Sequence, residues 1–383
     1  MDFELSSEQR LLQQTVREFA AEQLAPGAAQ RDRTGEFHLP QLQQMAQLGL
    51  MGMNVPEQYG GSEVGPVAYV LAMIEIGRGD ASVAVSTSVT NMVAENVYRF
   101  GNEEQRRLWL PQIVSGDHPI GAFGLTESQA GSDATNLRTK AVRDGDEWVV
   151  NGSKIFITNG ETASTVLVMA VTDPQHQSKA RRISAFLVHR DNPGMHVLGH
   201  EDKMGQRSSN TASLSFDDCR VPDTARLSDL GQGFVIAMTS LDSGRLGVAG
   251  LAIGIAEAAL NAALEYSKQR EQFGRPLAKL QAIQWMLADS RTELDAATLL
   301  LLRAAALKQR GGVRYTREAS MAKLYATEAA NRVVNRALQI HGGYGYIAEY
   351  PVERHLRDAR VTMLYEGTSE VQRIVIAREQ LAD

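Results

Sequence analysis

The chain has 383 residues, 43% of them hydrophobic and 22% charged, the composition of a globular protein long enough for two or three domains and not of a disordered one. Thirty-nine Lys and Arg against 45 Asp and Glu leave a formal charge of −6, so no overall field favours nucleic acid or an anionic membrane surface, and an anionic ligand needs a local pocket. With Cys219 as the single cysteine, an internal disulfide and a thiolate metal cluster are excluded.

The opening Met1-Asp2-Phe3-Glu4 is acidic and has no apolar segment, unlike a signal or transit peptide. The expected place is the cytoplasm of a bacterium, or the mitochondrial matrix for a processed eukaryotic chain. No apolar run is expected to reach the about eighteen residues of a membrane helix; the richest patch, 299–302, is cut by Arg303.

Residues 1–120 read as a helical domain. Ser6 and Gln9 are spaced as a capping box, Leu12, Val16 and Phe19 share one helix face, and Ala25-Pro26-Gly27 is expected to end the run. Apolar stripes follow over 39–50, 68–76 and 81–100, and a short helix over 103–114 closes at Ser115-Gly116-Asp117. Over 121–230 the pattern changes to short runs of Val, Ile, Phe and Thr. Strands are expected at 147–150, 154–158, 165–171, 183–188, 195–198 and 212–216, with Asn151-Gly152 as a hairpin turn. Strands without intervening helices point to an antiparallel β domain, a small barrel or sandwich, and not to a doubly wound sheet. Long helices return over 231–383, at 234–270, 280–310, 316–340, 351–364 and 369–381, with glycine at the breaks, as in an antiparallel bundle. The fold class is therefore α+β, multidomain, in the order helical, strand, helical.

Familiar catalytic signatures are missing. There is no GxGxxG after a strand, no GxxxxGK[ST], no HExxH and no GxSxG, which sets aside common nucleotide, zinc and serine-hydrolase chemistry. His341, beside two glycines, reads either as a site residue or as a histidine meeting a helix dipole. Four loop segments remain. Leu125-Thr126-Glu127-Ser128-Gln129-Ala130-Gly131-Ser132 offers backbone N–H groups and hydroxyls to a polar ligand, or is a linker. Lys154-Ile155-Phe156-Ile157-Thr158-Asn159-Gly160 is an apolar strand ending in hydroxyl and amide groups. Arg270-Glu271-Gln272-Phe273-Gly274-Arg275-Pro276 sets arginines around an aromatic, suited to phosphate and a planar ring, or is a solvated turn. Tyr365-Glu366-Gly367-Thr368-Ser369-Glu370 puts a glutamate before a glycine turn, with Ser369 and Gln372 spaced as a capping box for the last helix.

Together, in this order and spacing, these segments resemble the acyl-CoA dehydrogenase family. Tyr59-Gly60-Gly61, Gln281, Gln339-Ile340-His341-Gly342-Gly343 and Arg354-His355-Leu356-Arg357-Asp358-Ala359-Arg360 extend the resemblance along almost the whole chain. It implies a flavoprotein oxidoreductase of fatty acid β-oxidation that holds FAD and removes hydrogen across Cα and Cβ of an acyl-CoA, giving a trans-2-enoyl-CoA. Glu366 would be the base, its pKa moved by desolvation towards about 6–7. The family's alternative base position is Gly244 here, and glycine cannot serve.

By the same resemblance, Phe123, Leu125, Thr126 and Ser132 would run along the flavin, and Phe156, Ile157 and Thr158 would pack beside its ring. Many relatives carry tryptophan where Phe156 stands, so an indole contact is lost. Arg270, Gln272, Phe273, Gln281 and Gln339, Ile340, His341, Gly342 and Gly343 would bind the pyrophosphate and adenosine of a neighbouring subunit's FAD. Thr368, Ser369 and Glu370 would touch FAD, while Ser132, Asp242, Ser243, Gly244, Arg245 and Gly367 would line the acyl-CoA site. No metal is implied. The resemblance further implies a homotetramer, a dimer of dimers, and electron-transferring flavoprotein as acceptor. The competing readings are an oxidase of the same fold and a non-catalytic acyl-CoA-binding protein. The acyl group is expected to be short to medium, straight or methyl-branched, with the likeness of 241–270 and 316–376 to short-chain members tilting it to four to six carbons.

Overall fold

A computed structural model describes residues 4–115 and 117–382; most of the acidic N-terminal opening, and the glycine of the expected stop at 115–117, lie outside them. The first elements are α1 (Ser7–Phe19), α2 (Ala25–Thr34), α3 (Leu39–Gln47), α4 (Gly65–Gly79), α5 (Ala81–Phe100) and α6 (Glu103–Val114). The expected capping box forms: Ser6 Oγ accepts from Gln9 N, and Gln9 Oε1 accepts from Ser6 N. Ala25-Pro26-Gly27, however, does not end the run. A π-helical turn, Ala20–Leu24, leads straight into α2, and Pro26 falls in the first turn of that helix, where a missing N–H costs little. The stop comes at Gly35.

Helix α5 is buried from Ala81 to Val97 despite its Ser, Thr and Asn content. Two of its threonine hydroxyls bond back to carbonyls of the preceding turn, Thr87 Oγ1 to Val83 O at 2.8 Å and Thr90 Oγ1 to Ser86 O at 2.9 Å, which lowers the penalty of burying them. Asp80 caps its N-terminus, accepting from Ser82 N at 2.8 Å, and is itself held by Arg31 of α2.

The strands are β1 (Gly121–Gly124), β2 (Lys140–Asp144), β3 (Glu147–Thr158), β4 (Thr165–Val171), β5 (Ile183–His189), β6 (Met195–His200), β7 (Thr211–Pro222) and β8 (Arg226–Leu227). They form one eight-stranded sheet in the order β6-β7-β3-β2-β4-β5-β8, with β1 beside β4. Most pairs are antiparallel as expected, but β1 and the end of β2 run parallel to β4. Asn151-Gly152 is not a hairpin turn. β3 is continuous through it, with a bulge at which Gly152 takes φ +147° and comes so close to β2 that a Cβ would lie 2.6 Å from Thr139 Cα. The hairpin turn is Gly145-Asp146, after β2, a strand whose polar face leaves only Ala141 buried and gives little pattern to read.

The last part contains α7 (Gly233–Gln269), a short hairpin of β9 (Glu271–Gln272) and β10 (Arg275–Pro276), then α8 (Gln281–Arg310), α9 (Thr316–His341), α10 (Val352–Arg360) and α11 (Ser369–Ala382). The helix expected over 351–364 ends at Arg360 and tightens into a 3₁₀ turn, Val361–Met363. Helix α7 packs on α4, α5, α8 and α9 and forms the centre of the core. It also corrects the expectation about apolar runs: an 18-residue window within it has mean hydropathy 1.6, long and apolar enough to cross a membrane, and is 83% buried inside the protein. Glycines and alanines between its Leu and Ile residues masked the run, and its burial against four helices is that of a core helix.

Candidate active site

Glu366 sits in the turn between α10 and α11, where two successive residues take left-handed backbone, Glu366 at φ +53° and Gly367 at φ +89°. For a side-chain-bearing residue this costs about 1–2 kcal/mol, so the turn must be held from outside. Gln372 Nε2 donates to the Glu366 and Gly367 carbonyls at 3.1 and 2.9 Å, and Lys323 Nζ donates to Gly367 O at 2.8 Å. On the other side Gln206 Nε2 donates to the Tyr365 hydroxyl at 3.2 Å and to Asp358 O at 3.0 Å. The expected Ser369–Gln372 capping box is not formed. Thr368 Oγ1 caps the helix by accepting from Val371 N at 3.3 Å, the Gln372 side chain turns back to the Glu366 and Gly367 carbonyls, and Ser369 is buried inside α11 with its hydroxyl unbonded among the described residues.

The Glu366 carboxyl points into the protein. Its Oε2 is buried and has no hydrogen-bond partner among the described residues. Burial pushes its pKa up to about 7, with Lys323 and Arg245 pulling against the shift. The carboxyl lies on Gly244 of α7: a Cβ there would sit 2.7 Å from the Glu366 carboxyl carbon and closer still to Oε2. Beside it Arg245 Nη1 donates to Asp242 Oδ1 at 2.6 Å and Ser320 Oγ at 3.2 Å, and Asp242 Oδ2 accepts from Thr316 Oγ1 at 2.6 Å. Ser243 is engaged inside the core with Glu95 and Lys308, at 2.7 and 2.6 Å. Thus Gly244 touches the Glu366 carboxyl and the Arg245 charge acts on it, Asp242 being paired with Arg245, while the Ser243 hydroxyl is occupied.

The two strand-domain segments also come together. Ile155 N donates to Thr126 O at 3.0 Å, and Lys154 Nζ reaches Leu125 O at 3.1 Å and Glu127 Oε1 at 2.7 Å. Glu127 additionally accepts from Arg138 N, Thr139 N and Gln129 Nε2, so one buried carboxylate organises the whole loop from Leu125 onward. Leu125 and Ile157 are buried, Phe123, Thr126 and Thr158 half-buried and Ser132 exposed. Phe156 is the exception to its strand: it takes φ +57° and leaves its ring 60% exposed. An aromatic held out in strained backbone is suited to packing on a planar ligand.

A third group lies on the bundle. Arg270, Gln272, Gln339, Ile340, His341, Gly342 and Gly343 line a cavity of about 540 Å³ together with Tyr266 and Tyr344. His341 stacks on Tyr266 with centroids 4.3 Å apart, and its Nδ1 lies 2.8 Å from Ala337 O; burial lowers its pKa, so the ring is neutral at pH 7 and Nδ1 donates. The Arg270 guanidinium stands over the Tyr344 ring at 5.3 Å. Phe273, 90% exposed at the β9–β10 tip with φ +53°, and Gln281 at the start of α8 do not line this cavity.

The acyl-CoA dehydrogenase N-terminal, middle and C-terminal domains match residues 6–117, 122–219 and 231–381. The chain belongs to the acyl-CoA dehydrogenase family. It is 48% identical to the human mitochondrial short-chain specific acyl-CoA dehydrogenase over 375 residues, 98% of this chain and 90% of that one. Among solved structures, butyryl-CoA dehydrogenase from Megasphaera elsdenii matches with a TM-score of 0.96 at 43% identity, each chain covered completely. A chain from structural work on the electron transferring flavoprotein of Acidaminococcus fermentans matches with a TM-score of 0.97 at 45% identity, again over 100% of both. The fold of helical, strand and helical domains is that of the family.

Gln206, Tyr266 and Lys323 were not singled out from the sequence, and Lys154 and Gln372 were named only as a strand residue and a cap partner, not for the contacts they make here. Two carried a readable signal. Lys154 occupies an inward position of a strand, and Lys323 interrupts the buried face Ala319, Ala322, Ala326 and Ala330 of α9, each a charge where the period calls for an apolar residue.

Proposed function

We propose that this chain catalyses FAD-dependent α,β-dehydrogenation of short- to medium-chain acyl-CoA thioesters, with Glu366 taking the α-proton. The observation that carries the reading is the unpartnered, buried Glu366 Oε2 resting on Gly244, its pKa raised to about 7. A thioester α-proton is too weakly acidic for a solvated carboxylate. Desolvation makes Glu366 a stronger base while leaving a large ionised fraction at neutral pH. Activity should therefore rise with pH through about 7, because the protonated carboxyl, favoured below that value, cannot accept a proton.

FAD fits the residues present: the exposed Phe156 ring beside Thr126 and Thr158 offers a face for a planar ring, and the aromatic cavity carries Arg270 for a phosphate. When bound, FAD supplies the acceptor for the β-hydrogen as hydride. Phe123, Leu125, Thr126, Ser132 and Ile157 would hold it on one side, and Thr368, Ser369 and Glu370 on the other. Asp242, Ser243, Gly244, Arg245 and Gly367 would line the acyl-CoA site, the glycines admitting the thioester close to the base. Purified protein should be yellow, and anaerobic butyryl- or hexanoyl-CoA should bleach the flavin band; no bleaching with any acyl-CoA of four to eight carbons would sink the reading.

A homo-oligomer, expected as a tetramer, is proposed on the separation of the two regions: from Lys323, bonded to the Glu366 turn, to His341 at the cavity, α9 rises 18 residues, about 27 Å, which supports the cavity serving a partner's FAD site. Electron-transferring flavoprotein is the proposed acceptor. Arg270→Ala should weaken FAD retention about tenfold by loss of a charged contact, read as flavin released on gel filtration, with unchanged retention counting against the assignment. Gly244→Ala should cut kcat/KM by about tenfold or more, since a 1.4 kcal/mol misplacement already suffices. Its new Cβ occupies carboxyl space, and unaltered kinetics would show that the carboxyl swings freely.

A further inference from the structure

Lys154 and Lys323 are both completely buried. Lys154 has a carboxylate 2.7 Å away. Lys323 has none in hydrogen-bond contact among the described residues: its hydrogen bond is to the Gly367 carbonyl at 2.8 Å, one residue past Glu366. A buried ammonium without a carboxylate in hydrogen-bond contact is costly, and the small residues three and four positions away on α9, Ala319, Ser320, Ala326 and Thr327, do not call for a charge there. We propose that Lys323 is a positioning residue for the reaction, fixing the left-handed turn through the Gly367 carbonyl and supplying the charge that keeps Glu366 ionised at neutral pH.

Among the other groups facing Glu366, only Arg245 pulls in the same direction, and its charge is shared with a carboxylate. Arg245 of α7 is cationic, but Asp242 neutralises it at 2.6 Å. Tyr69 of α4 and Tyr365 of the turn are neutral phenols whose burial raises their pKa. Glu370 lies on the exposed start of α11, and Glu328, further along α9, is paired with Arg373 at 2.6 Å. Lys323 itself is held down to about 8 by burial, with Glu366 pulling it back up. The two groups support each other's charged forms across the turn: when Glu366 takes a proton, the ammonium loses its counter-charge, so the base releases that proton readily for the next turnover.

The inference rests on Glu366 being the base, and the test separates the two. In the FAD-loaded enzyme, kcat/KM for butyryl-CoA is followed against pH for the parent, Lys323→Met, Lys323→Gln and Glu366→Gln. Methionine removes charge and donor. Glutamine removes the charge but keeps an N–H for the Gly367 carbonyl. Both lysine variants should move the acid limb upward by about one pH unit, with Lys323→Gln retaining the higher plateau rate. If both keep the parental acid limb while Glu366→Gln is inactive, the base reading stands and the role of Lys323 is overturned. If Glu366→Gln turns over normally, the base reading falls first. A variant that fails to retain FAD is excluded by its absorbance, and Lys323→Gln, which preserves the carbonyl contact, then decides.

Discussion

Glu366→Gln is expected to keep FAD and the yellow colour but to lose turnover by a factor of about 10²–10⁴, the range over which a positioned base contributes. Glutamine has nearly the same volume, so the carboxyl's seat on Gly244 and the carbonyl contacts from Gln372 and Lys323 can persist. What disappears is the ability to accept a proton. The effect should fall on kcat and kcat/KM together, since the interaction is used in the transition state and not to bind the ground state. Stopped-flow bleaching by butyryl-CoA reads it directly. A loss confined to KM would mean that the side chain only helps to seat the substrate.

The second large effect is one of stability. Lys154→Met would leave Glu127 as a buried carboxylate that has lost its cation, an outcome that costs about 3–5 kcal/mol where a buried pair is broken from one side. Burial already pulls Lys154 down to about 8 against the attraction of Glu127, which shows how strongly desolvation acts there. The same lysine holds Leu125 O, and Glu127 gathers three further donors. The variant should therefore melt well below the parent and release FAD more easily. Adding Glu127→Gln should recover part of the loss, because removing both charges spares the uncompensated one. Equal melting temperatures for parent and Lys154→Met would contradict the account of this loop.

The features legible in the sequence were those set by local rules. The Ser6–Gln9 capping box, the bounds of α5 and α6, and a glutamate before a glycine turn depend on neighbours within a few residues, and they are where the pattern placed them. The misreadings arose where distant contacts override local preference. Asn151-Gly152 is an excellent hairpin pair, but pairing with β2 on one side and β7 on the other keeps β3 extended through it. Ala25-Pro26-Gly27 looked like a stop because proline usually ends a helix, yet a π turn just before it re-registers the chain so that Pro26 is in a first turn. Ser369 has the spacing of a cap, but Thr368 takes that place because Gln372 is drawn to the carbonyls of Glu366 and Gly367. As for the site, resemblance supplied the roles of Glu366 and the FAD segments. The buried lysines left a signal in the pattern, a charge at an inward position, but what they hold was visible only once their neighbours were known.

The most direct measurement is solvent exchange at C2 of a bound acyl-CoA. In D₂O under anaerobic conditions, butyryl-CoA incubated with the FAD-loaded parent should acquire deuterium at C2, faster as pH rises through about 7, and Glu366→Gln should leave C2 protonated under the same conditions. Exchange at the parental rate in Glu366→Gln would contradict the assignment of the proton to this carboxylate.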